Sequence, residues 1–309
     1  MKGRNALRGL LAGVLVVATS GYVYAGRQSP TADDVHRLTD SVSVVNAGGT
    51  NVTVFSAGDT LVLVDSGAPN QGDALAAALD NIAPDATVQT LFNTHYHLDN
   101  TGNNERFGAS GATIIAHQRT HQWISQDHWI PAEDRYAKAR PEGAWPTRLI
   151  FNAPESMETG GEEIEYGYLL GAHTGGDIYV YFRNANVLAV GDVASPVRDP
   201  ELDWISGGWI GGYVDAMDRL LEIGNTETLI VPGTGPVMTY AEFEAERELM
   251  EVVRQRLFVQ VRAGDGPQNM LDAGVLEGLD RTWDEPFKFL YDAAKGLWGN
   301  HNKLDPDGI

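Results

Sequence analysis

Phe92-Asn93-Thr94-His95-Tyr96-His97-Leu98-Asp99-Asn100-Thr101-Gly102-Asn103-Asn104 closes a β-branched, apolar segment running from Ala86 to Phe92 and leads into a polar turn. On an extended backbone side chains alternate with period two, so His95 and His97 face the same way and Asp99 continues that face. Two imidazoles and a carboxylate are the donors that a borderline-soft divalent cation takes. The stretch therefore reads as half of a metal cradle.

The rest of the chain narrows what can complete it. The sequence has 309 residues and no cysteine. Thiol nucleophiles, disulfides and thiolate ligands are thereby excluded together, so any metal site must be built from His, Asp or Glu. The length suits one large α/β domain or two smaller ones, and no repeat of solenoid or propeller period is present. At the N-terminus, Lys2, Arg4 and Arg8 precede an apolar run from Leu10 to Ala18, and Val23-Tyr24-Ala25 resembles a small-residue cleavage site. Residues 1–25 are thus expected to be a signal peptide for a periplasmic or secreted protein, with an uncleaved membrane anchor as the alternative. The formal charge is −20, and removing the three basic residues of the leader takes it to −23. Such acidity speaks against nucleic acid and anionic membrane surfaces as partners and favours solubility, and it is no evidence for any reaction.

Along the chain, strand and helix patterns alternate. Strands are expected at His36 to Val45, Asn51 to Phe55 and Thr60 to Val64, followed by a helix from Gly72 to Ile82. After the opening stretch come a helix near Asn103 to Phe107, a strand at Ala112 to Ala116 and a helix around Arg119 to Ser125. A long aromatic segment from His128 to Pro146 has the character of a lid or binding loop. Leu149 to Phe151, Ile164 to Tyr166 and Tyr168 to Leu170 are expected to belong to a second sheet. Asp177 to Phe182 and Val187 to Val190 should form a hairpin. Beyond them lie a helix from Val214 to Ile223, a strand from Thr228 to Val231 and a long amphipathic helix from Tyr240 to Val261. Alternation of this kind calls for a layered α/β fold with helices covering the sheets.

Four further segments carry candidate chemistry, each at the end of an expected strand. They are Asp65-Ser66-Gly67, Gly171-Ala172-His173-Thr174-Gly175-Gly176-Asp177, Gly191-Asp192-Val193 and Pro232-Gly233-Thr234-Gly235-Pro236. Together with Thr94 to Asn104, in this order, they resemble the metallo-β-lactamase fold superfamily over roughly Val44 to Val237. The resemblance implies an α/β, four-layer αβ/βα sandwich. Residues 26–309 would form a single such domain with a helical C-terminal extension from about 240. It further implies that His95, His97 and His173 bind metal, that Asp99 and Asp192 serve as metal ligands or catalytic carboxylates, and that Asp65 supports the ligand loops. Two positions depart from the family pattern: Asn100 and Thr234 stand where histidines of the second metal site are expected. Amide and hydroxyl oxygens are weak zinc ligands. One well-held ion is therefore implied, zinc first, with iron or manganese as alternatives.

Three histidines with an open position suffice to lower the pKa of a bound water to about 7. The function so implied is hydrolysis of an ester, lactone, thioester or amide in a small substrate. A second reading is a degenerate member that binds a ligand or partner without turnover. A third is mononuclear iron chemistry with oxygen. His117, Trp129 and Trp204 are candidates for the substrate pocket, though aromatics near glycine-rich turns equally serve as packing. The chain has no Gly-x-Ser-x-Gly elbow, no P-loop and no dinucleotide fingerprint.

Overall fold

A computed structural model describes residues 35–130 and 134–300. The N-terminal leader, with its expected cleavage site, lies outside them. Two sheets make the frame. The first has seven strands in the order β1-β2-β3-β4-β5-β6-β9. These are β1 (Val35–Arg37), β2 (Val42–Asn46), β3 (Asn51–Ala57), β4 (Thr60–Val64), β5 (Thr87–Phe92), β6 (Thr113–His117) and β9 (Arg148–Ile150). β1 to β4 are joined as antiparallel neighbours, whereas β4, β5, β6 and β9 run parallel. The second sheet has six strands: β10 (Glu155–Thr159), β11 (Glu162–Leu169), β12 (Asp177–Phe182), β13 (Val187–Gly191), β14 (Leu229–Pro232) and β15 (Met238–Thr239). Only β13 and β14 pair in parallel there.

The sheets pack face to face through Val42, Val44, Phe55, Val62, Phe92 and Ile115 on one side and Tyr166, Ile178, Val180, Phe182 and Val187 on the other. Phe55 stacks on Phe182 at 5.8 Å between ring centres. The outer face of the first sheet packs on α1 (Gly72–Ile82) and α3 (Asn104–Ala109) through Leu63, Leu75, Leu79, Leu91 and Phe107. The outer face of the second is covered by α5 (Ile210–Ile223), α6 (Tyr240–Ala263), α7 (Pro267–Asp272) and α8 (Pro286–Asn300). Each sheet is thus apolar on both faces, which is why β4, β12 and β13 read as unbroken hydrophobic runs. The result is the four-layer αβ/βα sandwich. Among the described residues no helix is long and apolar enough to cross a membrane.

Several local expectations need correction. β9, expected in the second sheet, pairs with β6 and closes the edge of the first. Ile164 to Leu169, read as parts of two strands broken at Gly167, belongs to the single strand β11, and Leu170 lies in the turn beyond it. Gly167 is there because a Cβ would stand 2.8 Å from the Tyr179 ring across the ladder. β10 was missed because its sequence, Glu-Ser-Met-Glu-Thr, is that of a polar edge strand with one half-buried face. α5 begins four residues before Val214, because Gly211 and Gly212 are helical. They are required by close approach: a Cβ on Gly212 would lie 2.1 Å from the Gly171 carbonyl oxygen. The long aromatic segment follows α4 (Gln118–Ser125) and contains a small hairpin of β7 (His128–Ile130) with β8 (Arg135–Ala137) and a 3-10 turn at Glu142–Ala144.

Candidate metal centre

The loops following β4, β5, β11, β13 and β14 meet at one end of the sandwich and carry Asp65, His95, His173, Asp192 and Thr234 respectively. This is the strand-end crevice where α/β proteins place ligands. β5 stops at Phe92, so His95 and His97 do not converge by strand alternation as expected. They converge through a tight loop that ends with His97 as the residue capping α2 (Leu98–Thr101). Asp99 lies in the first turn of that helix and not on a continued strand face.

The three imidazoles nonetheless come together. Their ring centres are 4.8 Å (His95–His97), 4.5 Å (His95–His173) and 4.7 Å (His97–His173) apart, all edge to face. One ligand nitrogen from each lies within 4.8 Å of the others. His95 and His173 are completely buried, and the Nε2 atom of each has no hydrogen-bond partner. Buried polar atoms are normally satisfied, so two partnerless nitrogens this close together suit a shared metal ion. Neutral imidazole donors fit zinc and its divalent neighbours. The residues present therefore fit the metal implied by the sequence.

Each histidine has a polar neighbour beside its other nitrogen, although Nδ1 of His173, like its Nε2, makes no hydrogen bond. His95 Nδ1 lies 3.0 Å from Thr94 Oγ1. His97 Nε2 stands 3.5 Å from Asp203 Oδ2, and His173 Nδ1 is 3.4 Å from Asp177 Oδ1. Burial, with the neighbouring His173 and His97, holds His95 well below the ordinary imidazole range, in the neutral form that binds metal. Burial pulls His97 down as well, but the hydrogen bond and charge of Asp203 outweigh it and raise the ring to about 9. In His173 the Asp177 carboxylate likewise overcomes burial and shifts the ring upward.

Asp65 is the hub beneath these loops. Its Oδ1 accepts from the Thr94 amide at 2.8 Å, and its Oδ2 accepts from Thr94 Oγ1 at 2.7 Å and Asn100 Nδ2 at 2.9 Å. Burial lifts its carboxyl to about 7 in spite of these three donors. Asp65 also adopts a left-handed backbone (φ 64°), which turns the chain out of β4. Thr94 ties the sheets together, since its carbonyl accepts from the Ile178 amide at 2.8 Å.

At the two departing positions the geometry is specific. Asn100 is buried, spends its amide nitrogen on Asp65 and leaves its Oδ1 without a partner. Thr234 is half-buried in a loop held by Asn51, whose Nδ2 donates to the Pro232 and Gly235 carbonyls at 2.9 and 2.8 Å. Asp192 keeps Oδ1 without a partner and gives Oδ2 to Arg198. Asp99 Oδ2 lies 3.9 Å from Arg198 Nη1.

The three pocket candidates fall in different surroundings. His117 is buried and stacks flat on Tyr168, with ring centres 3.8 Å apart. Trp129 stands exposed on the β7–β8 hairpin beside Tyr136. Trp204 lies under the Lys295 ammonium of α8 at 5.7 Å. Sequence reading missed Asp203, Arg198, Tyr96 and Arg140. Tyr96 donates its hydroxyl to Asp203 at 2.6 Å and stacks on Trp123, which stacks on His128. Arg140, from the long aromatic segment, donates to the Tyr96 carbonyl at 2.7 Å and so fastens that segment to the His95–His97 loop.

The model of the metallo-beta-lactamase superfamily matches residues 45–234, and the chain belongs to that family. Among curated proteins, the chain is 29% identical over 242 residues to the 2,4-dinitroanisole O-demethylase subunit alpha of Nocardioides sp. (strain JS1661), covering 76% of this chain and 67% of that one. It is 24% identical over 146 residues to a metallo-beta-lactamase of Chryseobacterium indologenes, covering 47% of this chain and 55% of the lactamase. Among solved structures, the metallo-beta-lactamase from Pontibacter korlensis superposes with a TM-score of 0.56 at 19% identity, over 70% of this chain and 98% of its own. The stereoselective inverting sec-alkylsulfatase from Pseudomonas sp. superposes with a TM-score of 0.64 at 15% identity, over 89% of this chain but 52% of its own. These superpositions show the fold. Membership in the family supports a metal-dependent, hydrolase-type function in general.

Proposed function

We propose that this chain is a metal-dependent hydrolase with one ion, zinc, held by His95, His97 and His173. Its substrate would be small and partly apolar, and the bond cleaved a C–O bond of ester or activated ether type. The observation that carries the reading is the pair of buried, partnerless Nε2 atoms on His95 and His173, in a cluster where one nitrogen from each of His95, His97 and His173 lies within 4.8 Å of the others.

When bound, such an ion acts as a Lewis acid and brings the pKa of a coordinated water toward 7. The residues around it have distinct tasks. Thr94 engages Nδ1 of His95 and leaves Nε2 as the donor atom; Asp203 engages Nε2 of His97 and leaves Nδ1. Asp192 keeps its Oδ1 free of any hydrogen bond and would be the carboxylate available as a further ligand. Asp99, in the open first turn of α2, is placed to accept a proton from the attacking water. Leu98 and Val197, chain neighbours of Asp99 and Arg198, are 46% and 54% exposed and would offer apolar surface to a substrate. The choice of a C–O bond draws support from the O-demethylase relative, whose match spans most of this chain.

Elemental analysis of the purified chain should find about one zinc per protein. The metal-loaded chain should hydrolyse 4-nitrophenyl acetate or 2,4-dinitroanisole, chelation should abolish the activity, and His173→Ala should lose both metal and activity. A chain without stoichiometric metal would end the proposal. Stoichiometric metal without turnover of any ester or aryl ether would favour the ligand-binding reading.

A further inference from the structure

The family resemblance implies that Asp99 and Asp192 are the carboxylates of a second metal position, and the structure brings a cation to both from within the chain. The Arg198 guanidinium donates through Nη2 to Asp192 Oδ2, and its Nη1 lies 3.9 Å from Asp99 Oδ2. Asp192 is 5% exposed and Asp99 19% exposed, so two negative charges stand in a poorly solvated place and need a positive partner. We propose that Arg198 is a built-in replacement for the second metal ion, holding Asp99 and Asp192 together and excluding a second divalent cation. The inference rests on the one-ion reading above.

The loop that carries Arg198 is constructed to deliver it. Its carbonyl accepts from Ser195 Oγ at 2.8 Å and from the Arg281 guanidinium. Arg281 also donates to the Ser195 carbonyl at 2.6 Å, and the Ser195 amide donates to Glu246 Oε1 at 2.9 Å. Arg281 and Glu246 face each other at 3.6 Å. Glu246 sits on α6 and Arg281 follows α7, so the C-terminal helices clamp the segment between Asp192 and Arg198 from behind. A guanidinium is always charged and forks naturally onto carboxylates, which suits it to this place.

The same arrangement gives a reason for both sequence departures. Asn100 turns its amide nitrogen to Asp65, and no imidazole is needed where no second ion is bound. Gly233 closes over Asp192 so tightly that a Cβ there would stand 2.1 Å from Asp192 Oδ1. The neighbouring Thr234 is then free of any ligand duty.

Metal counting separates this idea from simple ligand loss. The wild type, Thr234→His, and the double variant Arg198→Ala with Thr234→His would each be equilibrated with excess zinc, dialysed and analysed for bound metal. Cobalt substitution would report the coordination spectroscopically. Expected are one ion in the wild type, one in Thr234→His, and two in the double variant. A second ion in Thr234→His with Arg198 intact would overturn the proposal, and so would a single ion in a double variant whose circular dichroism is native. Should the double variant fail to fold, calorimetric titration of Arg198→Ala alone decides. Zinc affinity for the second position should rise at least tenfold over the wild type, and an unchanged titration would refute the replacement. The count in the wild type tests the metal centre, whereas the difference between variants tests Arg198, so the two readings fail separately.

Discussion

The carboxylate of Asp203 stands 3.5 Å from Nε2 of His97. Its position is fixed by several bonds: the Asp203 amide donates to the His173 carbonyl at 2.9 Å, and the carboxylate accepts from Tyr96 at 2.6 Å and from the Ser206 amide at 3.2 Å. One residue thus locks the ring of His97 and the backbone of His173. Burial would raise its carboxyl, but these donors and His97 hold it well below the usual carboxylate range. Asp203→Asn keeps the shape and removes the charge. It should weaken zinc binding about 10- to 100-fold, the usual cost of losing such a partner. Competition against a chromogenic chelator measures it, and an unchanged affinity would show that Asp203 only packs.

What the sequence disclosed follows from which interactions are local. His95, His97 and His173 were legible because short motifs at strand ends carry them. The layers were legible because strands buried on both faces leave unbroken apolar runs. Asp203 and Arg198 were not, since both lie in irregular segments whose meaning arises only when the chain folds back on the His95 loop. The convergence of His95 and His97 was foreseen for an inadequate reason: the strand ends at Phe92, and a capped turn does the work assigned to β alternation. β9 was placed in the wrong sheet because three apolar residues say nothing about which edge they join.

Asp65 should prove the most sensitive position for stability among the residues that do not touch metal. Asp65→Ala leaves the Thr94 amide, the Thr94 hydroxyl and the Asn100 amide group without their acceptor in a dry interior. It also puts alanine at φ 64°. Removing a buried carboxylate offsets part of this cost, so a net loss of about 2–4 kcal/mol is expected. Urea unfolding of the metal-free variant checks it. Asp65→Asn should fall between the two, because its amide can still accept from Thr94 but presents a donor to the Asn100 amide nitrogen.

Gly233→Ala tests how tightly the Pro232–Pro236 loop closes on the site. The new methyl would sit 2.1 Å from Asp192 Oδ1, closer than any real carbon approaches. The Asp192 carboxylate or the loop must shift, and the loop is pinned by Asn51. Overpacking of this kind costs about 1–3 kcal/mol. Thermal unfolding should show the loss, and displacing Asp192 from Arg198 should also lower turnover of the ester probe. A variant with native stability and rate would mean that the loop yields freely.

Glu246 offers a pH-dependent test of the clamp behind Arg198. Its carboxylate is buried on α6, and burial pushes its pKa above the ordinary value of 4.5 despite the Ser195 amide and Arg281. A raised pKa means that the folded chain binds this proton more tightly than the unfolded chain does. The contribution of Glu246 to stability is then greatest at or below pH 4.5 and declines as pH rises through the folded pKa. Glu246→Gln cannot ionise and lacks this slope. The stability of the wild type minus that of the variant should therefore fall as pH climbs above 4.5, by at most about 1.4 kcal/mol per pH unit, and level off once the folded-state carboxyl is ionised. Urea unfolding of both proteins across that range gives the difference directly. A difference that grows with pH would show that pairing with Arg281 dominates burial, and that the clamp is an ion pair in its own right.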